Sequence, residues 1–403
     1  MNPNITVEED REYLKILLEL GLKADPFPIE APSEVNYWAD NKKLLNQLLE
    51  LQIDMISYPS TNLNIFYGAL GAGKTHACNY LSNKGVQEKL AKIILKKELK
   101  KEILSMVVVA PLPQKTGQIT TAVYKELVHK LLSELTKDDY ERLLVQLRTY
   151  KRSAYFVDAL KNLAKWVTKQ LTIDGSAKPV DSIKALEEFH FLTTLKSRTY
   201  GTLETSIDLA DTLSIIIKTL VKGGKDVIIF IDELEHLNAE KPTGRLLFSS
   251  FIRELYDEVE NNLNIVLIFT HATYDEIILL LSPAVIDRLN VKGIVNFAPM
   301  KTENDLREYF EMNIESQGGN PQALIDKDAL DIIIKKILSA GKTGVKPREF
   351  NREMKNIIPP LYNYRKNKKL GGSFKITKGL LAGYEKSKKE MVGEIADKLL
   401  KGE

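Results

Sequence analysis

The chain has 403 residues, with 57 Lys and Arg against 54 Asp and Glu, a net charge of +3, and 44% hydrophobic residues. That length predicts two or three domains, and the composition fills a substantial core. The longest apolar stretch, Ile277 to Ile286, is broken by Ser282 and Pro283 and falls short of the roughly 20 residues that span a bilayer. No membrane role is expected. The N-terminus carries Glu8, Glu9 and Asp10, unlike a signal peptide, and a cytoplasmic location is expected. A single cysteine, Cys78, forbids an internal disulfide, and the five histidines show no zinc spacing.

Residues 1–39 read as an acidic helix, Asn4 to Gly21, followed by an extended linker. Asp25-Pro26-Phe27-Pro28-Ile29-Glu30-Ala31-Pro32 cannot be helical. Asp40 then caps a helix through Leu44, Leu45, Leu48, Leu49 and Ile53, opening an α/β domain over 40–300. Asn64-Ile65-Phe66-Tyr67 reads as a short buried strand and leads into Gly68-Ala69-Leu70-Gly71-Ala72-Gly73-Lys74-Thr75. This stretch has the form G-x-x-x-x-G-K-[ST], a phosphate-binding loop. Gly68, Gly71 and Gly73, with Ala72 between them, let the backbone fold around phosphate oxygens and aim its N–H groups inward. Lys74 is expected to reach the β and γ phosphates of ATP, and Thr75 to offer its hydroxyl to Mg²⁺. His76 opens the next helix, whose N-terminus faces the nucleotide. A second Gly341-Lys342-Thr343 is only a loop: Lys336 stands where the first glycine belongs.

Met106–Ala110 is the next expected strand. About 115 residues separate Ala110 from Asp226, far more than the 10–12 of a simple crossover. Asp138 to Leu144 and Ala154 to Gln170 show i, i+3, i+4 apolar spacing, so a helical insertion over about 136–200 is expected. It either recognises a protein partner or thickens the domain. Lys96, Lys97, Lys100 and Lys101 form a basic cluster before it. Val227-Ile228-Ile229-Phe230-Ile231-Asp232-Glu233 is an apolar run ending in two carboxylates, a strand buried on both faces. Asp232 is expected to hold Mg²⁺, and Glu233 to polarise the attacking water as a general base. Asp232-Glu233-Leu234-Glu235-His236 is not a zinc-protease helix motif. Ile265–Thr270 and Gly293–Phe297 complete a parallel sheet covered by helices.

The loop and the Asp-Glu strand end together resemble the additional-strand class of P-loop ATPases, and later segments resemble its AAA+ branch. In that branch the polar end of Asn264-Ile265-Val266-Leu267-Ile268-Phe269-Thr270-His271 is sensor 1, which touches the γ-phosphate or lytic water. Here either Thr270 or His271 fills it. Leu281-Ser282-Pro283-Ala284-Val285-Ile286-Asp287-Arg288-Leu289 resembles the segment with the arginine finger, so Arg288 is implied to act in a neighbouring subunit's site. Lys346-Pro347-Arg348-Glu349-Phe350-Asn351 resembles sensor 2, which gives Arg348 a γ-phosphate contact, with Arg352 as the alternative. Asp25-Pro26-Phe27 and Tyr37-Trp38 are similar to the segment of transposition regulators and secretion ATPases that passes near the adenine.

Thr302 caps a helix with Leu306, Tyr309 and Phe310. Asp328 to Leu338 and Pro347 to Ile358 add two more, giving a helical lid over 301–360 that Pro359-Pro360 closes. The 361–403 tail is basic: from Arg365 to Glu403 there are 11 Lys and Arg and 5 Asp and Glu, 11 − 5 = +6. Origin-recognition and Cdc6-type initiators carry a longer winged helix there, and none is recognisable. The resemblance implies an oligomerising ATP-hydrolysing switch that acts on DNA, its basic patches meeting phosphates. A protein-directed signalling or defence ATPase, with the patches merely solvated, is the alternative.

Overall fold

The computed structural model describes residues 13, 15–32, 35, 38, 42–57, 60–95, 102–149, 196–197, 201–202, 206–341, 343–371 and 374–401. The Lys96–Lys101 cluster, Tyr37, the Asp40 cap and most of the expected insertion lie outside the described residues. By packing, the chain divides into two compact units. One comprises Gln47–Leu70 and Cys78–Phe297. The other comprises Met1–Asn46, Gly71–Ala77 and Ala298–Glu403.

Among the described residues the larger unit contains seven strands: β1 (Thr61–Tyr67), β2 (Glu102–Val109), β3 (Lys196–Ser197), β4 (Gly201–Thr202), β5 (Lys225–Asp232), β6 (Leu263–Phe269) and β7 (Leu289–Asn296). Five of them form one sheet in the order β2-β5-β6-β1-β7, with every pairing parallel. β3 and β4 form a separate antiparallel pair. The apolar runs explain the order of burial: every residue of β5 and of β6 is buried, as a central parallel strand requires. Each core strand starts two to four residues earlier than the sequence pattern predicts, and three end one residue earlier. Polar residues such as Thr61, Asn62 and Asn264 pair in the ladder, although apolar periodicity does not mark them.

On one face, Leu63, Ile65, Ile229, Ile265 and Leu267 pack with Val123, Leu127, Leu213, Ile216, Phe248 and Ile252 of the helices Gln118–Ser133, Ser206–Lys222 and Pro242–Glu258. Tyr140 and Leu143 of the helix Lys137–Thr149 join the same core, so this first part of the expected insertion is integral to the main packing. On the other face Phe66 meets Phe230 and Phe297, with centroids 6.5 and 5.6 Å apart. Where β1 and β7 slip register between Leu63 and Ile65, Gly293 is obligatory. A Cβ there would lie 1.9 Å from Asn64 Oδ1.

The second unit has its own core. Its helices include Glu303–Ser316, Lys327–Ala340, Pro347–Asn367 and Lys378–Lys401. Thr302 caps the first of these, its hydroxyl accepting the Asp305 N–H, and Asp326 caps the second through Ala329. Gly341 of the glycine-lysine-threonine decoy closes the second helix. Pro359-Pro360 does not end the lid. The helix Pro347–Asn367 runs through both prolines, because Met354, Ile358 and Leu361 are all buried in this core. That burial outweighs the two lost backbone N–H groups. The tail carries the helix Lys378–Lys401, with Ile376 before it and Leu380 within it both buried. The linker is anchored rather than free. Phe27 is fully buried, stacks on Phe310 at 5.8 Å and meets Phe350 edge-on. Asp25 accepts hydrogen bonds from the Phe27 N–H and the Tyr13 hydroxyl, and pairs with Lys355 at 2.6 Å.

Candidate functional site

Parallel pairing brings the C-terminal ends of β1, β5 and β6 to one edge of the sheet. From β1 the chain enters Gly68, from β5 it leaves at Asp232, and from β6 at Thr270. Gly68 is pressed against the backbone: a Cβ there would lie 2.5 Å from the Phe297 carbonyl oxygen.

In the second unit, the loop segment Gly71–Ala77 turns through two left-handed glycines, Gly71 (φ 81°) and Gly73 (φ 95°), a conformation that L side chains avoid. The helix Lys74–Ser82 begins at the loop's lysine, so the helix N-terminus and the loop share their N–H groups. Lys74 is 5% exposed and Thr75 exposed. The lid helix packs directly on the loop: the Arg348 N–H donates to the Gly71 carbonyl at 3.3 Å. A Cβ on Gly71 would stand 2.9 Å from the Arg348 Cβ. Arg348 Nε donates to the Ile29 carbonyl at 3.0 Å, and Asn351 donates to the Pro28 carbonyl at 2.7 Å. One side chain thus links the linker to the lid beside the phosphate loop. The Trp38 and His76 rings lie 6.1 Å apart.

In the larger unit, Asp232 ends β5 and is buried. Glu233 follows with φ 60°, an uncommon conformation for a residue with a side chain. Its N–H donates to Asp232 Oδ1 at 2.8 Å. Burial raises the Glu233 carboxyl above the usual carboxylate value. The charges of Asp232 and Glu235 push the same way, against an opposing effect of His236. A carboxylate with a raised pKa is a better proton acceptor.

The two sensor 1 candidates are both engaged by the turn after Glu233. The Thr270 N–H donates to Glu235 Oε2 at 3.2 Å, and Asn238 Nδ2 lies 3.0 Å from His271 Nε2. Arg288 is held elsewhere. Its Nε and Nη2 donate to the two carboxylate oxygens of Asp257, both at 2.7 Å, and Nη1 donates to the Ala284 carbonyl. Glu235, His236, Asn238 and Asp257 take no part in the sequence-based site. Only the position of the first three, directly after the two carboxylates, pointed to them.

A loop of this form leaving a central parallel strand, and an acidic strand end with one further strand between them, define an α/β P-loop NTPase fold of the AAA+ type. Among solved structures the chain is similar to the Aeropyrum pernix ORC1 protein in complex with DNA, at 15% identity and TM-score 0.45 over 90% of this chain and 68% of that one. It is similar to the Aeropyrum pernix ORC2 protein in ADPNP–ADP complexes, at 12% identity and TM-score 0.48 over 88% and 70%. It is also similar to Cdc6p from Pyrobaculum aerophilum, at 12% identity and TM-score 0.43 over 84% and 66%. The chain spans between 66% and 70% of the length of these proteins. No family model and no curated protein matches it.

Proposed function

We propose that the protein is an ATP-binding and ATP-hydrolysing AAA+ switch. The observation that carries this reading is the strand–loop–helix unit of β1, Gly68–Thr75 and the helix Lys74–Ser82, with left-handed backbone at Gly71 and Gly73. The loop N–H groups, His76 and the Lys74 ammonium bind and orient the triphosphate. The Thr75 hydroxyl and the Asp232 carboxylate, hard oxygen donors of the kind Mg²⁺ takes, would hold the ion, which would supply neutralisation of phosphate charge. Glu233 accepts the proton of the attacking water. Thr270 or His271 aligns that water, and Arg348 reports the γ-phosphate to the lid. Arg288 of a neighbouring subunit completes the site once it leaves Asp257, which makes the active form a homo-oligomer.

Calorimetry and turnover on two variants test the reading. Lys74→Ala should lose ATP binding. Glu233→Gln should bind ATP and not hydrolyse it, since an amide takes no proton from water. Unchanged affinity in the first, or normal turnover in the second, removes the assigned role.

The finer part of the proposal is action on DNA. Its support is the C-terminal helix, where Lys386, Lys388 and Lys389 are exposed and Lys386 and Lys389, three residues apart, share one face, a basic surface of the kind that meets phosphates. Turnover raised by duplex DNA, and a steep loss of that effect with salt, is the expected result. Turnover indifferent to DNA leaves the protein-directed ATPase as the reading.

A further inference from the structure

Glu233 opens a turn whose polar side chains each reach a different neighbour. Residues Leu234–Ala239 form a 3-10 segment. Glu235 and Asn238 bind the end of β6, as described. His236 reaches the other way, to the end of β2: its Nδ1 lies 2.7 Å from the Ala110 carbonyl oxygen. A carbonyl only accepts, so Nδ1 carries the proton and donates it. The same Nδ1 is 3.9 Å from Glu233 Oε2, too far for a hydrogen bond. The imidazole therefore fixes the turn while leaving the carboxylate unoccupied by its N–H.

Ala110 is itself tied into the sheet end, its N–H donating to the Asp232 carbonyl at 2.9 Å. It begins the loop 110–117, in which Leu112 is 64% exposed. The far end of that loop is clamped by a buried carboxylate. Glu240 accepts the Gly117 N–H at 3.0 Å and the Ile119 N–H at 3.2 Å, at the N-terminus of the helix Gln118–Ser133. So one stretch, 232–240, grips both ends of the exposed loop, and Glu233 lies within that stretch.

We propose that His236 is a positioning residue for Glu233 and that its bond to the Ala110 carbonyl makes hydrolysis depend on the placement of the loop 110–117. The inference rests on the ATPase reading above. The neighbouring tie on the β2 side, from the Ala110 N–H to the Asp232 carbonyl, runs through the same residue. Displacing Ala110 frees the imidazole, loosens the turn, and lets the left-handed Glu233 backbone relax, with the carboxylate carried away from its water. An occupant of the loop thereby acts on turnover without touching nucleotide.

The test is steady-state ATPase kinetics with ATP calorimetry on the full chain. His236→Ala should lower kcat by about tenfold, as the loss of one oriented contact does, with KM and ATP affinity unchanged. His236→Asn, which presents an N–H near the Nδ1 position, should recover most of kcat. Glu240→Gln weakens the other end of the loop and should lower kcat by a smaller factor, again with KM unchanged. His236→Ala with normal kcat overturns the proposal. So does His236→Asn as impaired as His236→Ala, because that marks a structural role. Wild-type kcat in Glu240→Gln overturns the dependence on the loop. Normal hydrolysis by Glu233→Gln instead fails the parent reading, and is read from that variant alone.

Discussion

Asp139 shows how a single buried carboxylate is held ionised. Burial pushes its pKa up, but the Thr136 N–H and hydroxyl donate to it at 3.0 and 2.8 Å, Lys225 stands at 3.5 Å and Arg142 at 3.2 Å. Together they bring the carboxyl below its ordinary value. A group whose folded pKa is depressed stabilises the fold above the unfolded value, near 3.9 for Asp, and loses that contribution as pH falls through the folded value. Asp139→Asn should therefore cost about 2 kcal/mol near neutral pH, the scale of hydrogen bonds to a charged group. The gap to the parent protein should stay flat down to about pH 5 and close below about pH 4. Thermal unfolding at a series of pH values checks this, and a gap that widens in acid contradicts it. The sequence shows Thr136 and Asp139 three apart, yet nothing local announces that Lys225, far along the chain, completes the set. Phosphate-loop residues differ in this respect. Their chemistry is written in consecutive positions, so Gly68 to Thr75 was legible while the turn residues Glu235, His236 and Asn238 were not. Those three act only because β2 and β6 end beside the turn.

At the level of elements, the strands and most helices follow from apolar periodicity, and the exceptions have tertiary causes. Pro359-Pro360 reads as a helix stop from local rules, but the helix continues because Met354, Ile358 and Leu361 share a core with residues distant in sequence. The linker reads as non-helical and extended from its prolines; residues 25–32 are indeed not helical, but they run through bends at 26, 27, 29 and 30 rather than straight. What its prolines do not reveal is that Phe27 fills the lid core between Phe310 and Phe350. Phe27→Ala should destabilise that unit by about 3–5 kcal/mol, the usual cost of emptying a buried aromatic site. Thermal unfolding followed by calorimetry should shift down, and Phe27→Leu should restore most of the loss. An unshifted profile for Phe27→Ala would show that the stacked ring contributes little.

For the whole molecule, assembly turns on Arg288. Arg288 sits in a two-pronged ion pair with Asp257, 27% and 41% exposed, and its pKa is raised chiefly by that hydrogen bonding. Exposed pairs are typically worth about 0.2–1 kcal/mol and two-pronged geometry places this one at or above the top of that range, so a triphosphate brought by another subunit must offer the guanidinium more than that. Arg288→Ala should bind ATP normally and lose oligomer-dependent hydrolysis, since an arginine supplied in trans is worth about 10³–10⁵ in rate in other P-loop systems. Mixing Arg288→Ala with Lys74→Ala subunits should recover part of the activity. A mixture that stays inactive while the variants co-assemble leaves Arg288 as a structural partner of Asp257.

The core shared by residues 13–27 and 310–380 also has a consequence for the chain's synthesis. Tyr13, Ile16, Leu17 and Phe27 pack with Phe310, Phe350, Ile376 and Leu380. A ribosome adding roughly 5–20 residues each second produces the first four tens of seconds before the last. Throughout that interval the nascent chain carries four large apolar side chains with no native place to go. Those four side chains therefore find their native contacts only after residues 310–380 are made, and a polypeptide released before that point would keep them exposed to chaperones and proteases.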